Sequence, residues 1–263
     1  MELQFEKYEA TGNDFVMIDN RNSVFDEKDE TKIKQICDRR FGIGADGLIL
    51  IGEHENLDFE MKYFNSDGKE GTMCGNGGRC AAAFARKLKL SNSKHLFFKA
   101  IDGTHEAHIT LNSIRLKMSD VSGADKIEKW CFLDTGSPHI VEFVNNLNEV
   151  NVKKKGREIR LHEKFRPAGV NVNFVEYKEK IVHIRTYERG VENETFSCGT
   201  GSVAAAISVY LNFDSHKTGK QKQEYEIQAP GGELKVSFET DEDSGYRNIW
   251  LEGPATHVFS GTI

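Results

Sequence analysis

The sequence of 263 residues is internally repeated, and the repeat limits the architectures that it can adopt. Cys74 and Cys198 lie 124 positions apart, within the similar segments TMCGNGGRCAAA and FSCGTGSVAAA. The same offset aligns further residues along the chain: Thr11 with Thr135, Gly12 with Gly136, Tyr63 with Tyr187, Gly77 with Gly201, and Ala81 with Ala205. One constant offset across separated motifs indicates a duplicated structural unit. We therefore expect two homologous domains, residues 1–121 and 122–263.

Past the second cysteine the offset grows, which indicates that the second half carries insertions. Residues 100–103 (AIDG) match residues 229–232 (APGG), so an insertion is expected in the lysine-rich segment His216 to Lys222. A second insertion is expected in the acidic segment Glu239 to Gly245. Both segments have the polar composition of surface loops, where insertions are tolerated best.

The two halves share one predicted order: a strand, a Thr-Gly turn, further strands, a Cys-Gly turn, a helix and short alternating strands. In the first half we predict strands at Gln4–Tyr8, Gly47–Ile51 and Glu60–Asn65 and a helix at Gly75–Leu88. In the second half we predict strands at Lys129–Asp134, Val170–Tyr177 and Ile181–Tyr187 and a helix at Gly199–Leu211. Both helices are apolar on most sides and should be buried. The prediction is an α+β fold in which each half wraps a sheet or barrel around one helix, unlike a parallel doubly wound fold.

A cysteine at the start of a helix lies in an unusual environment. The first N–H groups of a helix have no intrahelical partner and carry partial positive charge. Thiols at such positions reach pKa values of roughly 3.5–7.5, and a carboxylate can bind to the same N–H groups. The adjoining glycines let the backbone approach a ligand closely.

Two such helix starts facing each other would hold one anion between two cysteines. If the anion is an α-carboxylate, one thiolate can remove the α-proton while the other thiol returns a proton to the opposite face. The helix dipoles would stabilise the charge that develops on the way, and no cofactor is required. The duplication therefore predicts inversion of an α-carbon by Cys74 and Cys198.

Composition narrows the range of functions. A formal net charge of −6 and a pI of about 5.9 argue against a nucleic-acid partner. No apolar segment has the length of a signal peptide or a membrane span, so we expect a cytoplasmic protein without a membrane partner. Five cysteines are an odd number, and thiols stay reduced in the cytosol.

The other cysteines and the glycine-rich loop have simpler interpretations. Cys37, Cys80 and Cys131 are expected to be small, buried, apolar residues. A zinc site needs a third and a fourth ligand, and no CxxC or HxxH spacing supplies them, so no metal is expected. A phosphate-binding role for the loop Gly75–Gly78 is disfavoured because no GK[ST] follows it.

With these motifs the sequence resembles the diaminopimelate epimerase family, PLP-independent enzymes that interconvert LL- and meso-diaminopimelate. The matching motifs occur along the whole chain in family order: ATGNDF from Ala10, FNSDG from Phe64, MCGNGGRC from Met73, NVNF from Asn171, YERG from Tyr187 and SCGTG from Ser197. The resemblance implies two similar domains, each a mixed, largely antiparallel, barrel-like sheet around a central helix, with the active site in the cleft between them. It also implies a homodimer that acts in the synthesis of lysine and peptidoglycan precursors.

The resemblance also implies roles for individual residues. Cys74 and Cys198 would be the base and the acid. The α-carboxylate of the amino-acid substrate would be held by the backbone of Gly75, Asn76, Gly199 and Thr200. The rest of the substrate, especially its distal end, would be bound by Asn13, Asn65, Asn171, Glu188 and Arg189. His139 and Glu188 would tune the pKa values of the two cysteines.

Two positions depart from the family pattern. Ser137 stands where the family usually has an asparagine that binds substrate, and its hydroxyl offers fewer hydrogen bonds. Gly47 stands where some members have a substrate-contacting glutamine. Both departures affect the distal end of the substrate rather than the reacting carbon.

Two other functions are weighed against epimerisation of diaminopimelate. A proline or hydroxyproline racemase could use the same scaffold, but its substrate has no distal amino acid for Arg189 and the asparagines to bind. A thiol-redox or thiol-sensing protein could use the two cysteines as a reversible disulfide, but it would not need paired helix starts.

Overall fold

The computed structural model describes residues 2–215, 221–241 and 245–263, and its chain divides into two compact units. Unit 1 comprises Met1–Leu116 and Gly253–Ile263, and unit 2 comprises Lys117–Glu252. The last residues of the chain therefore join unit 1, although in sequence they come after unit 2. The division at residues 121 and 122 concerns the limits of the repeats and stays a prediction.

Unit 1 contains eight strands and two helices within the described residues. Its strands are β1 (Gln4–Ala10), β2 (Asn13–Asp19), β3 (Gly47–Gly52), β4 (Phe59–Asn65), β5 (His95–Ala100), β6 (Gly103–Ile109), β7 (Ile114–Lys117) and β17 (Thr256–Thr262). Its helices are α1 (Glu30–Cys37) and α2 (Gly75–Lys87). The strands predicted from alternating hydrophobicity are present, with ends that differ by a few residues.

Unit 2 repeats this arrangement with one extra strand. Its strands are β8 (Asp125–Ile127), β9 (Trp130–Asp134), β10 (Pro138–Phe143), β11 (Asn171–Lys178), β12 (Ile181–Glu188), β13 (Asn193–Thr195), β14 (Gln221–Ala229), β15 (Gly232–Asp241) and β16 (Gly245–Gly253). Its helices are α3 (Val152–Arg160) and α4 (Gly199–Val209), with short 3₁₀ turns at Leu147–Glu149 and Glu163–Phe165. The helix predicted to reach Leu211 changes at Tyr210 into a π-helical turn, Tyr210–Asp214.

The strand pairing in the two units follows one pattern. In unit 1 the spatial order is β17-β1-β2-β3-β4-β5-β6-β7. In unit 2 it is β8-β9-β10-β11-β12-β14-β15-β16, with β13 also paired to β12. In both units every pairing is antiparallel except those between the third and fourth strands and between the fifth and sixth, which are parallel. The duplication predicted from the sequence is therefore confirmed in the topology.

Each sheet wraps around one buried helix, as the apolar sequence of the helices predicts. In α4 the residues from Val203 to Ile207 are fully buried among the strands of unit 2. In α2 the run from Cys80 to Ala82 is equally buried, and the helix packs against β1, β2, β3, β4 and β6. Alanine-rich helices allow strands to approach closely, so a short helix can fill the inside of a strongly curved sheet.

The predicted insertions fall largely at the limits of the described chain. Of the segment His216 to Lys222, residues 216–220 lie outside the described residues, and Gln221 and Lys222 begin β14. Of the second segment, residues 242–244 lie outside them, while the flanking residues belong to β15 and β16. In the described ranges no helix is both long and apolar enough to cross a membrane.

Candidate active site

Both cysteines of the repeated motif occupy the N-cap position of a central helix. Cys74 precedes the first residue of α2, and Cys198 precedes the first residue of α4. The Sγ atom of Cys74 accepts a hydrogen bond from the N–H of Gly77 at 3.2 Å. Both side chains are partly exposed to solvent. Each unit thus presents a thiol at the positive end of a helix dipole, as the sequence predicts.

A buried threonine of the Thr-Gly turn braces the first turn of each helix. In unit 1 the hydroxyl of Thr11 donates to the side-chain Oδ1 of Asn76 at 3.4 Å. In unit 2 the hydroxyl of Thr135 donates to the backbone carbonyl of Thr200 at 3.0 Å. Asn76 and Thr200 are equivalent positions of the repeat, so the same turn fixes the same helix residue twice. These ties hold in place the N–H groups predicted to bind the α-carboxylate.

Asn76 also joins Asn13, another predicted substrate-binding residue. The amide nitrogen of Asn76 donates to Oδ1 of Asn13, and Nδ2 of Asn13 donates to the carboxylate of Asp46 at 2.9 Å. Both ends of the Asn13 amide are therefore fixed by protein partners. One N–H and one lone pair of that amide remain for a ligand.

Asp46 belongs to a network of ion pairs that also includes Lys7 of β1, Asp14 of β2 and Arg39. Arg39 binds Asp14 through two hydrogen bonds of 2.9 and 2.6 Å, and it also binds Asp46 at 2.7 Å. The buried Lys7 forms an ion pair with Asp14 at 2.8 Å. Burial raises the pKa of Asp14, but hydrogen bonds from Arg39 and Lys7 outweigh it and hold the pKa at about 2. The carboxylate of Asp14, which binds Arg39 beside Asp46, therefore stays ionised at neutral pH.

Asn65 and Gly47 are register partners at the ends of β4 and β3. Asn65 is exposed, and its Oδ1 accepts a hydrogen bond from the Tyr63 hydroxyl at 2.9 Å. A Cβ atom on Gly47 would lie 2.5 Å from the Tyr63 ring. It would lie equally close to the backbone carbonyl of Phe64, so a side chain at position 47 would meet both the tyrosine ring and the neighbouring strand.

In unit 2 the predicted residue His139 is fully buried at the centre of a polar network. Its Nδ1 accepts a hydrogen bond from Nδ2 of Asn173 at 3.0 Å. The amide of Asn173 can point only this way, because its nitrogen also donates to the carbonyl of Ile140 at 3.0 Å and its oxygen accepts from Thr186 at 2.9 Å. We therefore assign to His139 the neutral tautomer that carries its proton on Nε2.

The Nε2 atom of His139 faces the motif around Cys198. It lies 2.9 Å from Oγ1 of Thr200 and 3.0 Å from Oγ of Ser137. Oγ1 of Thr200 lies in turn 3.4 Å from Sγ of Cys198, so that its hydroxyl can donate to the sulfur. Burial lowers the pKa of His139 to about 3, and the positive charge of Arg189 adds to the effect. The imidazole is thus a neutral donor at the end of a short hydrogen-bonded chain.

Asn171, Glu188 and Arg189 meet where β11 and β12 pair. Oδ1 of Asn171 accepts from the backbone N–H of Arg189 at 2.8 Å, and its Nδ2 donates to Oγ of Ser137 at 3.1 Å. Glu188 is the last residue of β12. The guanidinium of Arg189 reaches the carbonyl oxygens of Ala168 and Gly169 only at 3.4 and 3.5 Å. These long contacts leave the cation available to an anionic ligand.

The remaining cysteines have the environments expected of packing residues. Cys37 and Cys80 are buried, and Cys131 is partly buried. Burial raises the pKa of Cys37 to about 11 and raises the pKa values of Cys80 and Cys131 as well. In the part of the chain that the structure describes, no group of three or more His, Cys, Asp or Glu side chains is arranged to hold a metal ion.

Several residues that shape the site were not identified from the sequence. They are Thr11 and Thr135 of the Thr-Gly turns, Asp46, Arg79 and Asn173. The two threonines were detectable, because the repeat offset aligns them. Asp46, Arg79 and Asn173 acquire their roles from partners distant in sequence, and nothing local marks them.

Comparisons with known proteins agree with this organisation. A family model described as diaminopimelate epimerase matches residues 5–122 and 131–258. A diaminopimelate epimerase of Flavobacterium psychrophilum is 48% identical over 264 residues, which cover 99% of this chain and 100% of the relative. A diaminopimelate epimerase of Chlorobaculum tepidum is 45% identical over 262 residues, which cover 97% of this chain and 98% of the relative.

Solved structures of low sequence identity share the fold. A phenazine biosynthesis protein of the PhzF family from Bacillus anthracis superimposes with a TM-score of 0.81 at 16% identity, covering 100% of this chain and 99% of its own. A hydroxyproline epimerase from Agrobacterium vitis, solved with trans-4-hydroxy-L-proline, gives 0.68 at 12% identity, covering 100% of this chain and 91% of its own.

The family is decided by the sequence matches, because likeness at 12–16% identity speaks for the fold alone. The relatives match over nearly their whole length and over nearly the whole of this chain. The resemblance found in the motifs is thus confirmed, and the protein is an isomerase. The chain belongs to the diaminopimelate epimerase family.

Proposed function

We propose that this protein interconverts LL-2,6-diaminopimelate and meso-diaminopimelate without PLP, with Cys74 and Cys198 as the acid–base pair. The observation that carries the proposal is the duplication itself, in which each copy of one topology begins its central helix with an N-cap cysteine. Inversion at carbon needs two groups that exchange the roles of base and acid when the reaction reverses. Two thiols at equivalent positions of the repeat meet that need.

The chemistry consists of two proton transfers. One cysteine, as thiolate, takes the proton from the α-carbon, so that the C–H electron pair is left on carbon and delocalised into the carboxylate. The other cysteine, as thiol, gives its proton to the opposite face of that carbon. The product leaves with inverted configuration, and the two cysteines have exchanged their protonation states. No electron acceptor or cofactor is consumed.

The backbone N–H groups at Gly75, Asn76, Gly199 and Thr200 are proposed to hold the α-carboxylate throughout. They lie in the first turns of α2 and α4, where N–H groups carry partial positive charge. Negative charge grows on the carboxylate oxygens as the α-proton leaves, so these donors stabilise the transition state more than the ground state. The hydrogen bonds from Thr11 and Thr135 hold these N–H groups in position before the substrate binds.

The distal amino-acid end of the substrate is proposed to bind Asn13, Asn65, Asn171, Glu188 and Arg189. A partly exposed guanidinium such as that of Arg189 can hold a distal carboxylate through two hydrogen bonds. A distal ammonium would be matched by asparagine oxygens and by the carboxylate of Glu188. A proline-type substrate has neither group, so this set favours diaminopimelate.

His139 is proposed to tune Cys198 through Thr200. A neutral imidazole that donates to the threonine hydroxyl lets this hydroxyl donate to the sulfur, which favours the thiolate without placing a charge beside it. Glu188 is proposed to act on the same cysteine by its negative charge. The two groups would keep the thiol close to the protonation balance that a reversible reaction needs.

The working form is proposed to be a cytoplasmic homodimer. Strand β17 is exposed on most of its residues, although it carries the large apolar side chains of Val258 and Phe259. Such a strand is suited to pairing with a second copy. Sedimentation analysis of the purified protein tests this, and a monomer at micromolar concentration would contradict it.

The test of function is incubation with LL-diaminopimelate in D₂O without PLP. We expect the meso isomer to form and deuterium to enter one α-carbon. Cys74→Ala and Cys198→Ala should each abolish interconversion, whereas Cys131→Ala, which removes a partly buried thiol assigned to packing, should retain it. Full activity of either active-site variant, or turnover of proline in place of diaminopimelate, would reject the proposal.

A further inference from the structure

The first turn of α2 covers a fully buried arginine that the mechanism has not used. Arg79 is 0% exposed, and its side chain turns back towards the start of its own helix. Its two terminal nitrogens donate to the carbonyl of Gly75 at 3.3 Å, to Oδ1 of Asn76 at 2.9 Å and to the Thr11 hydroxyl at 3.0 Å. Nε donates to the carbonyl of Pro254 at 3.3 Å. The guanidinium therefore lies directly behind the N–H groups that follow Cys74.

All four hydrogen-bond acceptors of this guanidinium are neutral. A buried cation is costly unless a negative charge lies near it, so buried arginines usually pair with carboxylates. Burial lowers the pKa of Arg79 to about 10, which still leaves the side chain protonated at neutral pH. Among the described residues, the positive charge of Arg79 is thus fully buried and has no ion-pair partner.

Three titratable groups near the guanidinium could balance this charge: Cys80, Glu9 and Cys74. Cys80 is fully buried, and burial raises its pKa, so it stays a neutral thiol. Glu9 lies on β1, where its carboxylate accepts from the N–H of Gly12 at 3.3 Å, and it makes no hydrogen bond to the guanidinium. On the side of β3 and β4 the neighbours of the first helical turn are apolar, Ile49 and Met61. Of the three groups, only Cys74 is a partly exposed thiol.

In the second copy of the repeat an apolar residue takes the place of this cation. The position equivalent to Arg79 is Val203 in α4, which is also fully buried. The buried titratable group beside Cys198 is His139, whose bonding fixes it as a neutral imidazole. The two helix starts are alike in backbone, but only the first turn of α2 is hydrogen-bonded to a buried cation. The charged residues near the Cys198 motif, Glu188 and Arg189, are of opposite sign and are both partly exposed.

We propose that Arg79 is a positioning residue that keeps Cys74 as the thiolate in the substrate-free protein, while Cys198 remains the thiol. The inference rests on the proposed function only in taking these two cysteines as the acid–base pair. The guanidinium adds its charge to that of the helix dipole at Cys74, whereas the equivalent position in α4 is the apolar Val203. The free protein is thereby prepared for the isomer whose α-hydrogen faces Cys74.

The test compares the two thiols in the same protein, without substrate. Iodoacetamide reacts with thiolates, so the rate of labelling at each cysteine, followed by peptide mass spectrometry from pH 5 to 10, gives one midpoint for Cys74 and one for Cys198. We expect the Cys74 midpoint to be lower by about one pH unit or more, which is a tenfold difference in ionisation. Arg79→Met should raise the Cys74 midpoint by a similar amount and leave that of Cys198 unchanged, whereas Arg79→Lys should stay near the wild type.

Arg21→Met is the matched control, because Arg21 forms a surface pair with Asp19 in the same unit and should affect neither midpoint. Equal or reversed midpoints in the wild-type protein overturn the inference, and this measurement stands even if Arg79→Met fails to fold. A folded Arg79→Met protein with an unchanged Cys74 midpoint also overturns it, since Arg79 would then have only a structural role. Deuterium incorporation tests the epimerase function separately, so either proposal can fail alone.

Discussion

Gly47 departs from those family members that are expected to have a glutamine at this position, and the structure shows that Tyr63 lies next to it. The tyrosine ring fills the space beside Gly47, and its hydroxyl reaches Asn65. A hydrogen bond to Oδ1 fixes which end of the Asn65 amide faces outward. We therefore expect Tyr63 to orient Asn65, a neighbouring residue that is predicted to bind substrate.

Tyr63→Phe should therefore weaken substrate binding while leaving the chemical step intact. Loss of one orienting hydrogen bond of about 1 kcal/mol predicts that KM rises roughly fivefold, with kcat nearly unchanged. Steady-state kinetics with LL-diaminopimelate measure both constants. Tyr177→Phe, a partly exposed tyrosine of unit 2, serves as control, and an unchanged KM in Tyr63→Phe would contradict this role.

We expect Asn173 to act on the reaction through the tautomer of His139, to which its Nδ2 donates. Asn173→Leu keeps the approximate volume but removes the donor to Nδ1, so the imidazole is free to move its proton away from Thr200. We expect kcat to fall about tenfold or more, the usual scale for disturbing acid–base catalysis. The ¹⁵N shifts of the His139 ring report the tautomer directly.

Ser208→Ala is the control for Asn173→Leu, because Ser208 is an equally buried polar residue of α4. It should change neither kcat nor the ring shifts. A His139 ring that keeps its proton on Nε2 in folded Asn173→Leu would show that the tautomer has another cause.

At the scale of elements, the repeated unit is a strand, a Thr-Gly turn and a helix whose first turn is tied to that turn. Thr11 and Thr135 are both almost fully buried, and both turns contain a glycine with positive φ, 90° at Gly12 and 99° at Gly136. Glycine adopts this conformation without the steric cost that other residues meet. The turn therefore positions its threonine to donate a hydrogen bond to the first turn of a helix, at a residue 65 positions further along the chain.

Thr11→Val and Thr135→Val should each loosen one helix start. Valine keeps the shape but cannot donate, so a buried acceptor loses a partner and the free energy of unfolding should fall by about 1–2 kcal/mol. Urea denaturation measures the loss, and kcat/KM should fall in the same variants. Thr104→Val on the exposed face of β6 should stay within about 0.5 kcal/mol of the wild type.

At the scale of the molecule, buried titratable groups determine how stability depends on pH. The pKa of His139 is lowered to about 3 by burial, whereas an unfolded histidine has a pKa of about 6.5. Between these values the unfolded chain binds a proton that the folded chain does not, so stability falls as the pH falls below 6.5. Asp14, with a pKa of about 2, acts in the same direction only below about pH 4.

Between pH 6.5 and pH 5 the stability therefore reports on His139 and on His108, whose pKa burial also lowers, so the contribution of His139 is measured by substituting it. We expect His139→Asn to lose less stability than the wild type between pH 7 and pH 5, by up to about 2 kcal/mol. Urea midpoints at the two pH values measure the difference. His54→Asn, which replaces a partly exposed histidine, should follow the wild type. Parallel behaviour of His139→Asn would show that the imidazole is not held neutral.

Much of the architecture could be predicted because its signals are local or periodic. The constant offset revealed the duplication, and a Cys-Gly turn before a run of small residues located both N-caps. The charge network could not be predicted in this way. Arg79 receives its environment from Thr11 and Pro254, which are 68 and 175 positions away in sequence, and arginine in a helix ordinarily indicates an exposed face.

Asn173 illustrates the same limit within a strand. Its sequence context, NVNF, predicts an alternating strand but does not tell which neighbour the buried amide will meet. That is decided by the parallel pairing of β10 with β11, which brings His139 and Asn173 together across 34 positions. Pairings between distant strands set these roles, and a single sequence does not encode them in any short pattern.

The pairing of β1 with β17 joins residues such as Gln4 and Thr262. The ribosome makes β1 before unit 2, and it makes β17 only after all of unit 2 has been synthesised. Unit 1 must therefore wait with an incomplete sheet while unit 2 is already able to fold, so the second copy of the repeat should be the first to protect its amides during synthesis.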